Sequence, residues 1–202
     1  MLAAPRLIVF TDAQRAEPEL MLARFAELAR RARAGSVLFT LRDYALSVRA
    51  RWLLGERLAR LASSAGQRFG VADRADLARA LGCFAFHLPE AGITVQDARR
   101  YLGPELFLTR ACHDVASPVE AGLNARLLSP IFEARKGRPA LGLAALESAA
   151  ARGGGGLFAL GAVAAGNAAA CLVAGASGVA VIGAALAADP APLLGALGIL
   201  RL

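Results

Sequence analysis

Thirty-six consecutive residues, Gly153 to Ala188, carry no charged side chain. A run of that length constrains the fold more than anything else in the chain, because a membrane span needs only about 20 apolar residues. Its internal punctuation predicts something else. A glycine cluster opens the run, Leu157 to Leu160 follows, and Gly161 stops it. An alanine-rich segment of helical character, Ala164 to Ala174, ends at Gly175-Ala176. A second β-type run, Gly178 to Ile182, is stopped by Gly183. Strand, helix and strand, each closed by glycine, make a βαβ unit. Uninterrupted apolar strands are what a parallel sheet covered on both faces requires. The reading is therefore a protein with no membrane segment.

The same alternation runs through the rest of the chain. Apolar runs occur at Arg6–Thr11, Ser36–Arg42, Arg68–Ala72, Phe84–Leu88, Leu106–Ala111 and Arg126–Ser129, before those at Leu157–Leu160 and Val179–Ile182. Between them lie helical patterns at Pro18–Ala34, Ser47–Ala65, Arg74–Leu81 and Val95–Leu102, a helix broken near Pro118, and another at Leu141–Ala151. Eight strands alternating with helical patterns predict an α/β fold, a (β/α)8 TIM barrel, as one domain over residues 1–202. A doubly wound open sheet is the alternative, although it commonly stops at five or six strands. With 202 residues, 56% of them hydrophobic, the chain is long enough to bury a large core.

The net charge of +7 raises the question of nucleic acid. Arginines such as Arg24, Arg30, Arg31, Arg33, Arg49, Arg51, Arg57 and Arg60 fall on helical patterns, without interleaved aromatics, and read as solvated outer faces. No nucleic-acid partner is expected. Three cysteines, Cys83, Cys112 and Cys171, lack both even number and metal-ligand spacing, which suits a reducing compartment. The start MLAAPRLIVFTD becomes charged too soon for a secretory signal, so a cytoplasmic location is expected.

A barrel of this type carries its chemistry at the C-terminal ends of the strands. That rule selects Thr11, Asp12, Thr40, Arg42, Ala72, Asp73, His87, Cys112, His113, Ser129, Phe132, Gly161 and Gly183. Both histidines of the chain are among them. His113 is read as functional, because imidazole is suited to proton transfer, whereas His87 is equally compatible with a core role. Cys112 and His113, as neighbours on a strand, point to opposite faces, which leaves the cysteine behind the site. The glycines after the last two strands suit a phosphate held by backbone N–H groups of Gly161, Ala162, Val163, Ile182, Gly183 and Ala184.

The ordered pieces LIVFTD, VLFTLRD, ADRADLARALG, FHLPEAGITVQDARRYLG, ACHDVASPVEA, LLSPIFEARKGRPALGL, FALGAV and AGASGVAVIGAAL resemble the thiamine phosphate synthase and TenI-type thiazole tautomerase superfamily over nearly the whole chain. The resemblance implies a phosphorylated thiazole as ligand, and Thr40 and Phe132, selected above by the strand-end rule, are expected to contact it. It also shows departures. Thr40 and Tyr44 stand where synthases flank the strand-2 arginine with Gln and Lys. Ala72 replaces the Asn before Asp73, Gly92 falls near the place of a metal-binding carboxylate that is thereby lost, and Ala111 replaces a Ser. These departures favour a thiazole tautomerase over a synthase, with His113 as proton shuttle and Arg42 pairing the substrate carboxylate. No cofactor is expected in that case. A synthase with an altered diphosphate site would take Mg2+ at Asp73, and a silent ligand-binding barrel is the third possibility. A homo-oligomer is compatible with all three.

Overall fold

The computed structural model describes residues 5–201 and contains eight parallel strands closed into a barrel in sequence order, each paired with its neighbours and the last with the first. The strands are β1 (Leu7–Phe10), β2 (Val37–Leu41), β3 (Arg68–Ala72), β4 (Ala85–Leu88), β5 (Phe107–Cys112), β6 (Ala125–Leu128), β7 (Gly156–Leu160) and β8 (Gly178–Val181). Around them lie α1 (Pro18–Arg31), α2 (Val48–Ser64), α3 (Ala75–Ala80), α4 (Val95–Leu102), α5 (Gly142–Ala151), α6 (Ala165–Val173) and α7 (Ala191–Ala196). A short 3-10 turn, Gly183–Leu186, follows β8. Among the described residues no helix is long and apolar enough to cross a membrane. The uncharged run is β7, α6 and β8.

Two cores follow from the alternation of strand side chains. Val37, Phe39 and Leu41 of β2 face outward, where they meet Phe25 and Leu28 of α1 and Leu54 and Leu58 of α2. Leu38 faces inward with Ile8, Phe10, Ala85, Ala125, Leu127, Phe158 and Ala180. Phe10 and Phe158 share this interior with three alanines, Ala85, Ala125 and Ala180. Gly70 belongs to the same economy of space, since a Cβ there would lie 3.0 Å from the carbonyl oxygen of Ala85. Each fully buried phenylalanine contributes about 1.5–3 kcal/mol over an exposed one.

Helix starts follow local chemistry. Ser47 caps α2 by accepting from the N–H of Ala50, Thr94 caps α4 through Asp97, and Pro18 opens α1. Two expectations change. Helix α1 ends at Arg31 and not at Ala34, because Ala32 turns extended and pairs with Leu200, while Arg33 donates to the carbonyl of Ile199. Among the described residues no helix lies between β5 and β6. Pro118 denies that segment a backbone donor, Asp114 ties itself to the N–H of Ala116, and Gly122 takes φ +82°. Arg99 of α4 fastens the segment instead, donating to Gly122 O and Asn124 Oδ1.

Candidate functional site

A cavity of about 940 Å³ opens at the C-terminal ends of the strands, floored by Phe10, His87, Leu160 and Ala180 and walled by the loops that follow. Its wall carries five basic side chains, Arg15, Arg42, Arg135, Lys136 and Arg138, and three acidic ones, Asp73, Glu90 and Glu133. Such an excess suits an anionic ligand.

His113 stands just beyond β5 on this wall. Its Nδ1 lies 2.7 Å from Ser129 O and 3.1 Å from Ser129 Oγ. A carbonyl only accepts, so Nδ1 carries the proton and Nε2 of the neutral ring presents its lone pair. Cys112, one residue earlier, packs into the outer core, where burial raises the pKa of its thiol. His87 is different. It is buried on the barrel axis, with Nδ1 2.8 Å from Thr109 Oγ1 and the ring edge-on to Phe10 at 5.1 Å. Burial, with the nearby charges of Arg42 and Arg110, pushes its pKa down to about 3. His87 is thus a neutral, polar floor to the cavity.

Arg42 continues β2. Its backbone N–H donates to Thr11 Oγ1, its Nη2 reaches Asp12 Oδ2 at 3.3 Å, and its guanidinium lies over the Phe10 ring. The same Asp12 oxygen takes Arg15 Nε at 3.3 Å. Arg15 thereby reaches the last loop, where a Cβ on Gly183 would lie 3.4 Å from its Nη1. Gly183 itself is free of backbone demand, so its lack of a side chain leaves room beside a cation. Gly161 is needed for another reason. It sits at φ +111°, and a Cβ would fall 2.8 Å from Pro130 Cα and 2.9 Å from Ile131 N. Ala162 follows at φ +53°, a turn that carries the chain into α6.

The loop after β6 returns over the cavity as a tight hairpin. Arg135 and Arg138 exchange backbone hydrogen bonds of 2.9 and 3.0 Å. Lys136 and Gly137 between them have φ +51° and +75°, as in a primed two-residue turn. Arg138 Nη2 meets Glu90 Oε2 of the β4–α4 loop at 2.9 Å. That loop is fixed by buried Arg110, whose Nη1 donates to Pro89 O and Nη2 to Ile93 O, while Nε lies 2.5 Å from Glu120.

Of the residues selected from sequence, Arg42, Asp73, His113, Gly161, Ala162, Val163, Ile182, Gly183 and Ala184 all line the one cavity, as do His87 and Ser129. Thr40 and Phe132 do not. Thr40 is buried one layer beneath Arg42, on the inward side of β2, and Phe132 packs against the outer core. Arg51 is a second correction. It is no solvated helix arginine but is buried, donating to Ala72 O and lying over the Tyr44 ring. Arg15, Glu90, Arg135 and Arg138 were legible only as loop charges.

Magnesium takes about six oxygen ligands in near-octahedral array. Among the described residues no group of three or more His, Cys, Asp or Glu side chains is placed to hold a metal. The three carboxylates of the cavity, Asp73, Glu90 and Glu133, are not gathered into one such group. This donor set does not fit a magnesium cage built by the protein.

Comparison with known proteins gives a consistent result. A family model described as thiamine monophosphate synthase matches residues 7–185. The thiamine-phosphate synthase of Mycobacterium tuberculosis is 35% identical over 205 residues, covering 93% of this chain and 90% of its own. That of Thermus thermophilus is 36% identical over 166 residues, covering 79% and 81%. Among solved structures, thiamine phosphate pyrophosphorylase from Pyrococcus furiosus superposes with a TM-score of 0.81 at 22% identity, over 96% of this chain and 95% of that one.

Proposed function

The chain belongs to the thiamine monophosphate synthase family, and from that premise we propose that it is an enzyme joining a pyrimidine diphosphate to a thiazole phosphate with release of diphosphate. The observation that carries this reading is one cavity with two separate cationic regions. The first is the pair of glycine loops after β7 and β8 with Arg15 beside Gly183. The second is the Arg135–Arg138 hairpin. A volume of about 940 Å³ accommodates two ring-bearing anions side by side. An enzyme with a single phosphorylated substrate would leave one region without a partner.

In this reading the thiazole phosphate rests on the N–H groups of the Gly161–Val163 and Gly183–Ala184 turns, helped by Arg15. The diphosphate of the other substrate lies against the hairpin. The thiazole nitrogen forms the new bond to carbon as the carbon–oxygen bond to diphosphate breaks, and the electron pair leaves with the diphosphate. Lys136, Arg135 and Arg138 stabilise the charge that gathers there. That step moves no proton, so in the coupling reading the Nε2 lone pair of His113 is a polar group of the cavity wall and not an acid or base.

The presentation of Nε2 also favours a second reading, the isomerisation of a thiazole carboxylate phosphate by His113 with Arg42 on the carboxylate. One experiment separates them. The protein is incubated with pyrimidine diphosphate plus thiazole phosphate, with and without Mg2+, and separately with thiazole carboxylate phosphate. Coupling is the expected outcome. Isomerisation alone would establish the second reading, and neither reaction would leave a ligand-binding barrel.

A further inference from the structure

We propose that Glu90 is an internal counter-ion of Arg138 which diphosphate displaces, so that the hairpin holds diphosphate through its own cations without a divalent metal ion. The choice of diphosphate rests on the synthase reading.

The ion pair joins two loops that are not neighbours. Arg138 follows β6, Glu90 follows β4, and the intervening β5 leads into His113. Both partners are nearly half exposed, at 44% and 45%. Ion pairs in such surroundings contribute little and exchange readily for a better anion. A carboxylate offers one charge to Arg138, whereas a diphosphate offers several oxygens and more than one charge, which suits the planar fork of a guanidinium.

The backbone on both sides is fixed. The two mutual hydrogen bonds between Arg135 and Arg138, across Lys136 and Gly137, set three cations on one turn before any ligand arrives. On the other side, Arg110 grips the carbonyls of Pro89 and Ile93, so Glu90 departs by side-chain rotation while its loop stays in place. Little ordering is then left to oppose binding. The metal alternative has poorer support in these residues. Among the described residues no group of three or more His, Cys, Asp or Glu side chains is gathered, so a divalent ion would rest chiefly on the diphosphate and water and not on the protein.

The two roles open to Glu90 differ in sign, which gives the test. Inorganic diphosphate is titrated calorimetrically into the full chain in EDTA, and again in excess Mg2+. Binding is expected in EDTA. Glu90→Gln, which frees Arg138 and removes a negative charge, is expected to tighten it about two- to fivefold. Arg138→Ala is expected to weaken it about tenfold, and Arg60→Ala, on the exposed face of α2, to leave it unchanged. Binding that requires Mg2+ overturns the proposal, as does a Glu90→Gln variant that binds equally or more weakly. A folded Arg138→Ala protein with wild-type affinity, or no binding in either buffer, overturns it too. A protein that couples substrates but needs Mg2+ for diphosphate keeps the synthase reading and loses this one. A protein that binds diphosphate in EDTA and never couples does the reverse.

Discussion

The Nδ1 of His113 lies 2.7 Å from the carbonyl oxygen of Ser129, and that contact decides which ring nitrogen is offered to a ligand. Because the acceptor is backbone, no side-chain substitution at residue 129 removes it. If the reaction is the isomerisation, His113→Ala is expected to lower turnover about 10²-fold, the usual scale for loss of a proton-transferring group, with the melting temperature close to wild type. Ser129→Ala, which deletes only the 3.1 Å hydroxyl contact, is expected to cost less than a tenth of that loss. Steady-state kinetics on the authentic substrate checks both, and undiminished turnover in His113→Ala would remove the proton-transfer role.

His87 gives a pH signature. Its pKa is about 3 in the folded protein, against 6.5 for a free imidazole, chiefly because burial disfavours the charged ring. The unfolded chain therefore binds the extra proton first as pH falls, so between about 6.5 and 3 acid favours unfolding. The neutral ring's contribution is complete above pH 6.5 and is lost on descending through that window, by up to about 1.4 kcal/mol per pH unit. His87→Gln is expected to flatten the dependence of the melting temperature on pH between 6.5 and 4. Parallel curves for variant and wild type would show that the ring is not held neutral.

The two cavity glycines are expected to fail differently. Gly161→Ala must place a Cβ within 3 Å of Pro130 and Ile131 at a φ of +111°, at a cost of roughly 1–3 kcal/mol in stability. Gly183→Ala meets only the end of the flexible Arg15 side chain at 3.4 Å and is expected to melt like wild type. Gly183→Val should remain folded and bind thiazole phosphate less tightly. Thermal melts and ligand titrations distinguish these outcomes.

Arg15→Ala is expected to weaken thiazole phosphate about tenfold, the order of one charge-assisted hydrogen bond, and to leave inorganic diphosphate at the hairpin largely unaffected. Equal losses for both ligands would mean that the two cationic regions act as one.

The barrel was readable from sequence because its strands are short, wholly apolar and stopped by glycine, which is the signature of a sheet buried on both faces. The rim was partly readable, since strand ends follow from strands. Thr40 shows the limit of that rule: alternation aims it inward, yet Arg42, two residues on, is the one that reaches the cavity. Phe132 lies past the strand end, where alternation no longer applies. The helix assigned after β5 gave way to Pro118. Arg15, Arg135 and Arg138 were hidden because a four-residue hairpin and a tight loop have no periodicity, and their charges resemble those of any solvated surface.

The hairpin has one more consequence, and it is practical. The chain contains 22 arginines and a single lysine, and that lysine is Lys136, held between Arg135 and Arg138 at the cavity mouth. Apart from the α-amino group, which is blocked or labelled separately at lower pH, an amine-selective dye or crosslinker therefore has one side chain to modify in this sequence. The label would sit where a ligand enters, so its emission or its rate of attachment reports occupancy of the cavity, and the protein needs no engineered handle for the measurement.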